Sequence, residues 1–207
     1  MAEEQTTIEP TPAPPKKKRV NSKKKGSGFE GHISKVLGEH LAPMKFRRSQ
    51  SSGAILGGVN EKFMEHFSED AKTLFIGDVV PTNEADIIRD KGWKLRFALE
   101  CKFYKTAPNL EHLFNDPNIL SWFEQARTDA AKISKFPLLI FKYNHTDIYC
   151  GIDPSLLSQP ATVTKTIELS REPKEPGDWN TLLIFRFKEA LLDLQWWKVS
   201  IPTPGQS

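Results

Sequence analysis

Apolar residues recur at helical spacing over Phe29, Ile33, Val36, Leu37 and Leu41, with Glu30, Lys35 and Glu39 off the stripe. That period predicts an amphipathic helix, ending near Ala42-Pro43 because proline cannot continue it. The GSG at 26–28 predicts a flexible hinge ahead of it. Residues 44–58 open strand-like and pass into small residues and glycines, which suits a loop close to a ligand. Residues 59–71 are charged, helical or irregular. Leu74–Val80 reads as a buried strand, and 82–92, with a threonine cap and a terminal glycine, as a short helix. In Leu95–Tyr104 the residues Leu95, Phe97, Leu99, Cys101 and Phe103 point one way, and Arg96, Ala98, Glu100 and Lys102 the other. A helix over Ile119–Ser134 carries Leu120, Phe123, Ala126, Ala130 and Ile133 on one face. Pro137–Tyr143 and Asp147–Ile152 read as strands joined by a turn at Asn144-His145-Thr146. Residues 153–178 read as connection and Thr181–Phe187 as a last strand. A helix through Leu194 is expected next, then Trp196-Trp197, a core plug rather than a dimer patch. The order predicts one mixed α/β domain, a sheet flanked by helices.

Composition adds boundaries. Of 207 residues, 38% are hydrophobic, with 13 Phe and 5 Trp, which excludes a wholly disordered chain. No apolar run approaches the roughly 20 residues needed to cross a bilayer, so no membrane partner is expected. Residues 1–15 are acidic and then proline-rich, so no secretory leader is expected. Cys101 and Cys150 are expected as free thiols in a reducing compartment, and the five histidines have no metal spacing.

The formal net charge of +3 is unevenly placed. Residues 1–27 hold seven basic and three acidic side chains, net +4, while the other 180 hold 22 basic and 23 acidic groups. Residues 1–26 are read as a disordered basic arm, 27–200 as a single domain and 201–207 as a flexible tail. Lys16, Lys17, Lys18, Lys23, Lys24 and Lys25 suit salt-sensitive, sequence-blind attraction to nucleic acid. The string Pro15–Val20 also resembles a nuclear import signal, which sets the nucleus beside a bacterial host's cytoplasm as a compartment.

Chemistry concentrates in Glu100-Cys101-Lys102. Residues two apart on a strand share a face, roughly 7 Å from each other. A charged pair in an apolar strand needs partners, and a divalent cation is one. Asp78, after Gly77 in an apolar run, supplies a second carboxylate. Glu30 adds a third acidic group and the Cys101 carbonyl a further ligand. Each residue alone is more commonly a salt bridge or a turn; together they suggest a site.

Gly77-Asp78 with Glu100-Cys101-Lys102 resembles the PD-(D/E)XK nuclease motif, in the subgroup of Holliday-junction-resolvase-like endonucleases, notably those of phages. Phe29-Glu30 resembles the subgroup's first-helix glutamate. Arg47-Arg48-Ser49 with Ser52-Gly53-Ala54 resembles its arginine-plus-SG segment. Trp122-Phe123-Glu124-Gln125-Ala126 before Pro137 resembles its WxxQA helix and following strand. The likeness spans about 29–152. It departs from the pattern in having Gly77 where proline is usual and 22 residues from Asp78 to Glu100; Asp86 is an alternative motif aspartate.

The resemblance implies a restriction-endonuclease-like α/β fold, a mixed central sheet with an α-β-β-β-α-β core. It implies Mg2+-dependent hydrolysis of DNA phosphodiesters, with Mn2+ able to substitute, on branched DNA and by a homodimer. Asp78, Glu100, Glu30 and Cys101 would hold metal, and Lys102 would position or activate water. Gln125 would hold the lysine or a phosphate. Arg47, Arg48, Ser49 and Ser52 would grip DNA. A restriction- or repair-type nuclease, or a non-catalytic DNA-binding protein keeping the fold, are the alternatives.

Overall fold

The computed structural model describes residues 22–49, 66–106, 117–175 and 178–201. In chain order the elements are helix α1 (Ser22–His40), strand β1 (Phe46–Arg48), α2 (Glu69–Lys72), β2 (Val79–Pro81), α3 (Glu84–Lys91), β3 (Trp93–Leu95) and β4 (Phe97–Tyr104). Then come α4 (Pro117–Ala131), β5 (Phe136–Tyr143), β6 (Ile148–Ile152), β7 (Ile167–Ser170), β8 (Thr181–Arg186), α5 (Phe187–Ala190) and β9 (Lys198–Ser200). Seven strands form one mixed sheet in the order β1-β2-β4-β5-β6-β8-β7, and β3 pairs with β9 apart from it. The chain is therefore a mixed α/β protein.

In the large sheet β4 and β5 run parallel, and the other pairs are antiparallel. A parallel pair needs a long crossover, and α4 lies within it. The alternation of β4 sorts the two faces as expected. Leu99 and Cys101 pack with Phe29, Ile33 and Leu37 of α1. Ala98 packs with Ile76, Ala130 and Ile133 on the other face. A further cluster joins Ile119, Trp122 and Phe123 of α4 to Leu139, Phe141 and Leu182 of the sheet.

Several expectations are corrected. The GSG is no hinge: α1 begins at Ser22 and runs through it, so residues 22–26 of the expected arm are helical. Gly26 and Gly28 cost only propensity, ~1 kcal/mol each, and Phe29 onward anchors the helix in the core. Lys25 Nζ lies 5.7 Å from the Phe103 ring centroid, a cation–π contact that holds this first part down. Residues 1–21, with Lys16, Lys17 and Lys18, lie outside the described residues, as does the Ser52-Gly53-Ala54 segment.

The strand expected over Leu74–Val80 shrinks to Val79–Pro81. Phe75 and Ile76 amides bond back to the Lys72 carbonyl, and the chain turns at Gly77, with φ +98°. A Cβ there would stand 3.0 Å from the Leu99 carbonyl oxygen. Glycine thus lets the turn lie against β4. An apolar run signals burial, and here part of the buried run is a turn.

The run 95–104 divides at Arg96, whose amide bonds the Trp197 carbonyl, while its Nη2 donates to the Lys198 carbonyl. Helix α3 ends at Gly92 in the left-handed region, as the sequence suggests. Its cap is not Thr82, whose hydroxyl donates to the Lys45 carbonyl. The stretch read as connection contains strand β7. The last helix is a single turn, since Trp197 Nε1 donates to the Ala190 carbonyl and Trp196 Nε1 to that of Ser158. Both tryptophans are buried, as a plug requires. Among the described residues no helix is long and apolar enough to cross a membrane.

Candidate active site

Antiparallel pairing sets Val79 of β2 opposite Leu99 of β4. One residue earlier, the Asp78 amide donates to the Leu99 carbonyl at 2.8 Å. The Asp78 Oδ2 accepts the Cys101 amide, also at 2.8 Å. Asp78 is thus strapped across β4 at the level of Glu100. It also ties β1 in, because the Ser49 amide donates to its carbonyl at 2.9 Å. The turn at Gly77 is what brings the aspartate so close.

Glu100 and Asp78 are only 5% and 6% exposed. Burial, then the charge of Asp78, push the Glu100 carboxyl up to about 7, against the pull of Lys102. Lys102 Nζ lies 2.6 Å from Glu100 Oε1 and donates to Gln125 Oε1 of α4 at 3.0 Å. Burial lowers the Lys102 ammonium, but Glu100 and Asp78 outweigh it and hold it above its ordinary value. Lys102 is thus held as a charged donor between Glu100 and Gln125. Glu30, on α1, is raised by burial and then by Asp78, while Arg48 lowers it. Arg48 Nε donates to Glu30 Oε2 at 2.6 Å.

The structure thus draws together Glu30, Asp78, Glu100, Lys102 and Gln125 from α1, the approach to β2, β4 and α4. Asp86 is elsewhere: it lies on α3, exposed, 3.0 Å from Arg89 Nη2. Arg47 and Arg48 point to opposite faces of β1. Arg48 is committed to Glu30, whereas Arg47 Nε is buried without a hydrogen-bond partner among the described residues. Ser49 is buried, its hydroxyl donating to the Phe75 carbonyl at 3.3 Å. Burial pushes the Cys101 thiol well up, so it stays neutral while its amide serves Asp78. Lys24 is exposed on the first turns of α1.

Two features escaped the sequence reading. Tyr104 continues the Glu100–Lys102 face of β4, a signal visible in the alternation. A second charged cluster joins distant segments. Asp178 takes Arg127 at 3.0 Å and also Arg171, whose guanidinium stacks 4.1 Å from the Trp179 ring centroid. Trp179 Nε1 donates to Glu124 Oε2 at 2.6 Å. Burial raises the Asp178 carboxyl, but the Lys174 amide, Arg171, Arg127 and the Trp179 amide bring it down to about 2.

Among the described residues no three His, Cys, Asp or Glu side chains cluster tightly enough to make a metal site. Two mutually repelling carboxylates nevertheless suit Mg2+, a hard cation commonly held by one or two carboxylates, with water and substrate phosphate as its other ligands.

Buried acids repelling each other beside one ammonium are the makings of a site that handles a cation and an anionic substrate. Over residues 21–191 the sequence matches the family described as Phage putative PDDEXK endonuclease, and the chain belongs to that family. Membership makes it an endonuclease family protein, a phosphodiester hydrolase by class, with a nucleic-acid substrate and a divalent metal in general. No curated protein and no solved structure matches the chain.

Proposed function

We propose that the chain is a Mg2+-dependent endonuclease cutting DNA, on a restriction-endonuclease-like core, with a preference for branched structures of the Holliday-junction kind. The observation that carries the metal-site reading is the 2.8 Å bond from the Cys101 amide to Asp78 Oδ2, which seats a second carboxylate beside Glu100. The preference for branched DNA rests on the segments around Arg47 and Gln125 that resemble resolvases. A homodimer accords with paired cuts.

Asp78 and Glu100 would hold the cation, with Glu30 and the Cys101 carbonyl as further ligands. A cation held there would supply Lewis-acid polarisation of the scissile phosphate and charge neutralisation at the departing oxygen. The remaining work falls to the chain. Lys102, kept cationic, orients the attacking water and faces the phosphate charge. Gln125 fixes the ammonium from α4. Arg47 grips a phosphate of the strand through the outer nitrogens of its guanidinium, and Arg48 holds Glu30 in place. Ser52 and the lysines at 16–18 and 23–25 add backbone attraction, whereas Ser49, 1% exposed and donating to Phe75, serves the fold and not the DNA.

The test is incubation of the purified chain with four-way junction, flap and linear duplex DNA, in Mg2+, Mn2+ or chelator. Paired nicks confined to the junction are expected. Cutting of linear duplex as readily would replace the junction preference with a restriction- or repair-type activity. Binding without cutting in either metal would refute catalysis altogether.

A further inference from the structure

Four large hydrophobic side chains are exposed among the described residues, Tyr104, Leu156, Leu192 and Leu194, and Tyr104 is the aromatic one. Its position is not random. Glu100, Lys102 and Tyr104 occupy alternate positions of β4 and so share a face. Tyr104 stands roughly 7 Å beyond Lys102 along the strand. It is 48% exposed, although β4 begins in the core with Phe97 at 1%.

The ring is also held. Its centroid lies 4.8 Å from that of Trp122, at an interplanar angle of 40°. Trp122 is itself buried, packed toward Phe141 and Tyr143. It sits on α4 one turn before Gln125, the residue that bonds Lys102. The helix that fixes the ammonium therefore also backs the aromatic ring. Below Tyr104 the Asn144 amide bonds its carbonyl, so the strand end is pinned as well. A half-open aromatic on a rigid support has little conformational freedom left to lose on contact with a flat partner.

We propose that Tyr104 is a stacking platform for one nucleobase of the substrate strand, next to the phosphate addressed by Lys102. The inference rests on the nuclease reading and narrows its substrate. A base in a continuous duplex is already stacked on both sides, so it must leave the helix to reach the ring. Strands whose base at that position is freed from its pair at a branch point are favoured. Stacking on an aromatic is tolerant of base identity, so the platform selects for structure and not for sequence.

The test is a cycle between the side chain and the base. Wild type, Tyr104→Ala, Tyr104→Phe and Tyr104→Trp are compared on four-way-junction oligonucleotides in which an abasic residue is walked past the branch point and the cut. Affinity is read by fluorescence anisotropy in chelator, and KM and kcat in Mg2+. In wild type, one abasic position is expected to weaken binding roughly tenfold. Tyr104→Ala should lose as much on intact DNA and nothing more at that abasic position. Phe and Trp should retain both affinity and sensitivity, and the loss should fall on KM.

Equal loss by Tyr104→Ala on intact and abasic strands at every position, or none at all, would overturn the proposal. The first of these results marks a purely structural role against Trp122. If wild type binds but never cuts, the nuclease reading fails while the anisotropy cycle still decides the platform. Absence of any DNA binding overturns both.

Discussion

The protein holds two charged clusters that both lean on α4, and they are built to opposite rules. Around Asp178 the charges are matched: Arg127 and Arg171 converge on one carboxylate, which two backbone amides also serve. The result is a carboxyl held down at about 2. Around Glu100, acids outnumber the cations set against them among the described residues. Glu30, Asp78 and Glu100 share Lys102 and Arg48, and both glutamates are driven above their ordinary range. The first arrangement joins the β7–β8 region to α4 and stabilises the fold. The second holds its acids close in spite of their mutual repulsion, which accords with the cation of the proposed site.

The sharpest way to break this contrast is activity. Lys102→Ala or Glu100→Gln should lower cleavage by about 10^2- to 10^4-fold while DNA binding persists. Asp178→Asn should leave the rate unchanged and reduce the denaturant midpoint. Equal loss of cleavage from both clusters would erase the distinction.

The next effect is in the pH dependence of stability, followed by urea melts in chelator. The Glu100 carboxyl is raised by folding, so its contribution is complete below its ordinary 4.5 and lost as pH climbs through about 7. Stability should fall across that window, by ~1–3 kcal/mol, and Glu100→Gln should flatten the fall. Asp178 has the opposite sign. Its contribution is present above its ordinary 3.8 and disappears as pH drops through about 2. Asp178→Asn should remove that acid limb alone. The smallest effect is reserved for Asp86→Asn, on the exposed surface of α3: neither cleavage nor melting should move measurably.

Much of the Glu100 region was legible in the sequence, and the Asp178 region was not, for a physical reason. Strand alternation makes Glu100 and Lys102 neighbours by a local rule, and an acid interrupting an apolar run marks Asp78 as costly and therefore purposeful. The Glu124–Trp179 and Arg127–Asp178 bonds join residues more than fifty positions apart, which no local period encodes. Likewise Lys135 and Glu84 meet at 2.8 Å, almost wholly buried, from segments that give no hint of each other. The same limit explains the strand errors. Leu74–Val80 carries the composition of a buried strand, but its first half is a turn because Gly77 must pass over Leu99. The helix through 26–28 was missed because two glycines outweigh Phe29 in any local count, while in the fold Phe29 and its successors prevail.

Gly77 also bears on how relatives of this chain are to be found. Proline fixes φ near −65°, so it cannot occupy the +98° conformation that delivers Asp78 here. A scan that insists on the letters proline–aspartate will pass over every chain that reaches the same geometry by this other backbone route. A scan for glycine followed by an acid, an apolar pair after it and a later Glu-x-Lys strand will retain them.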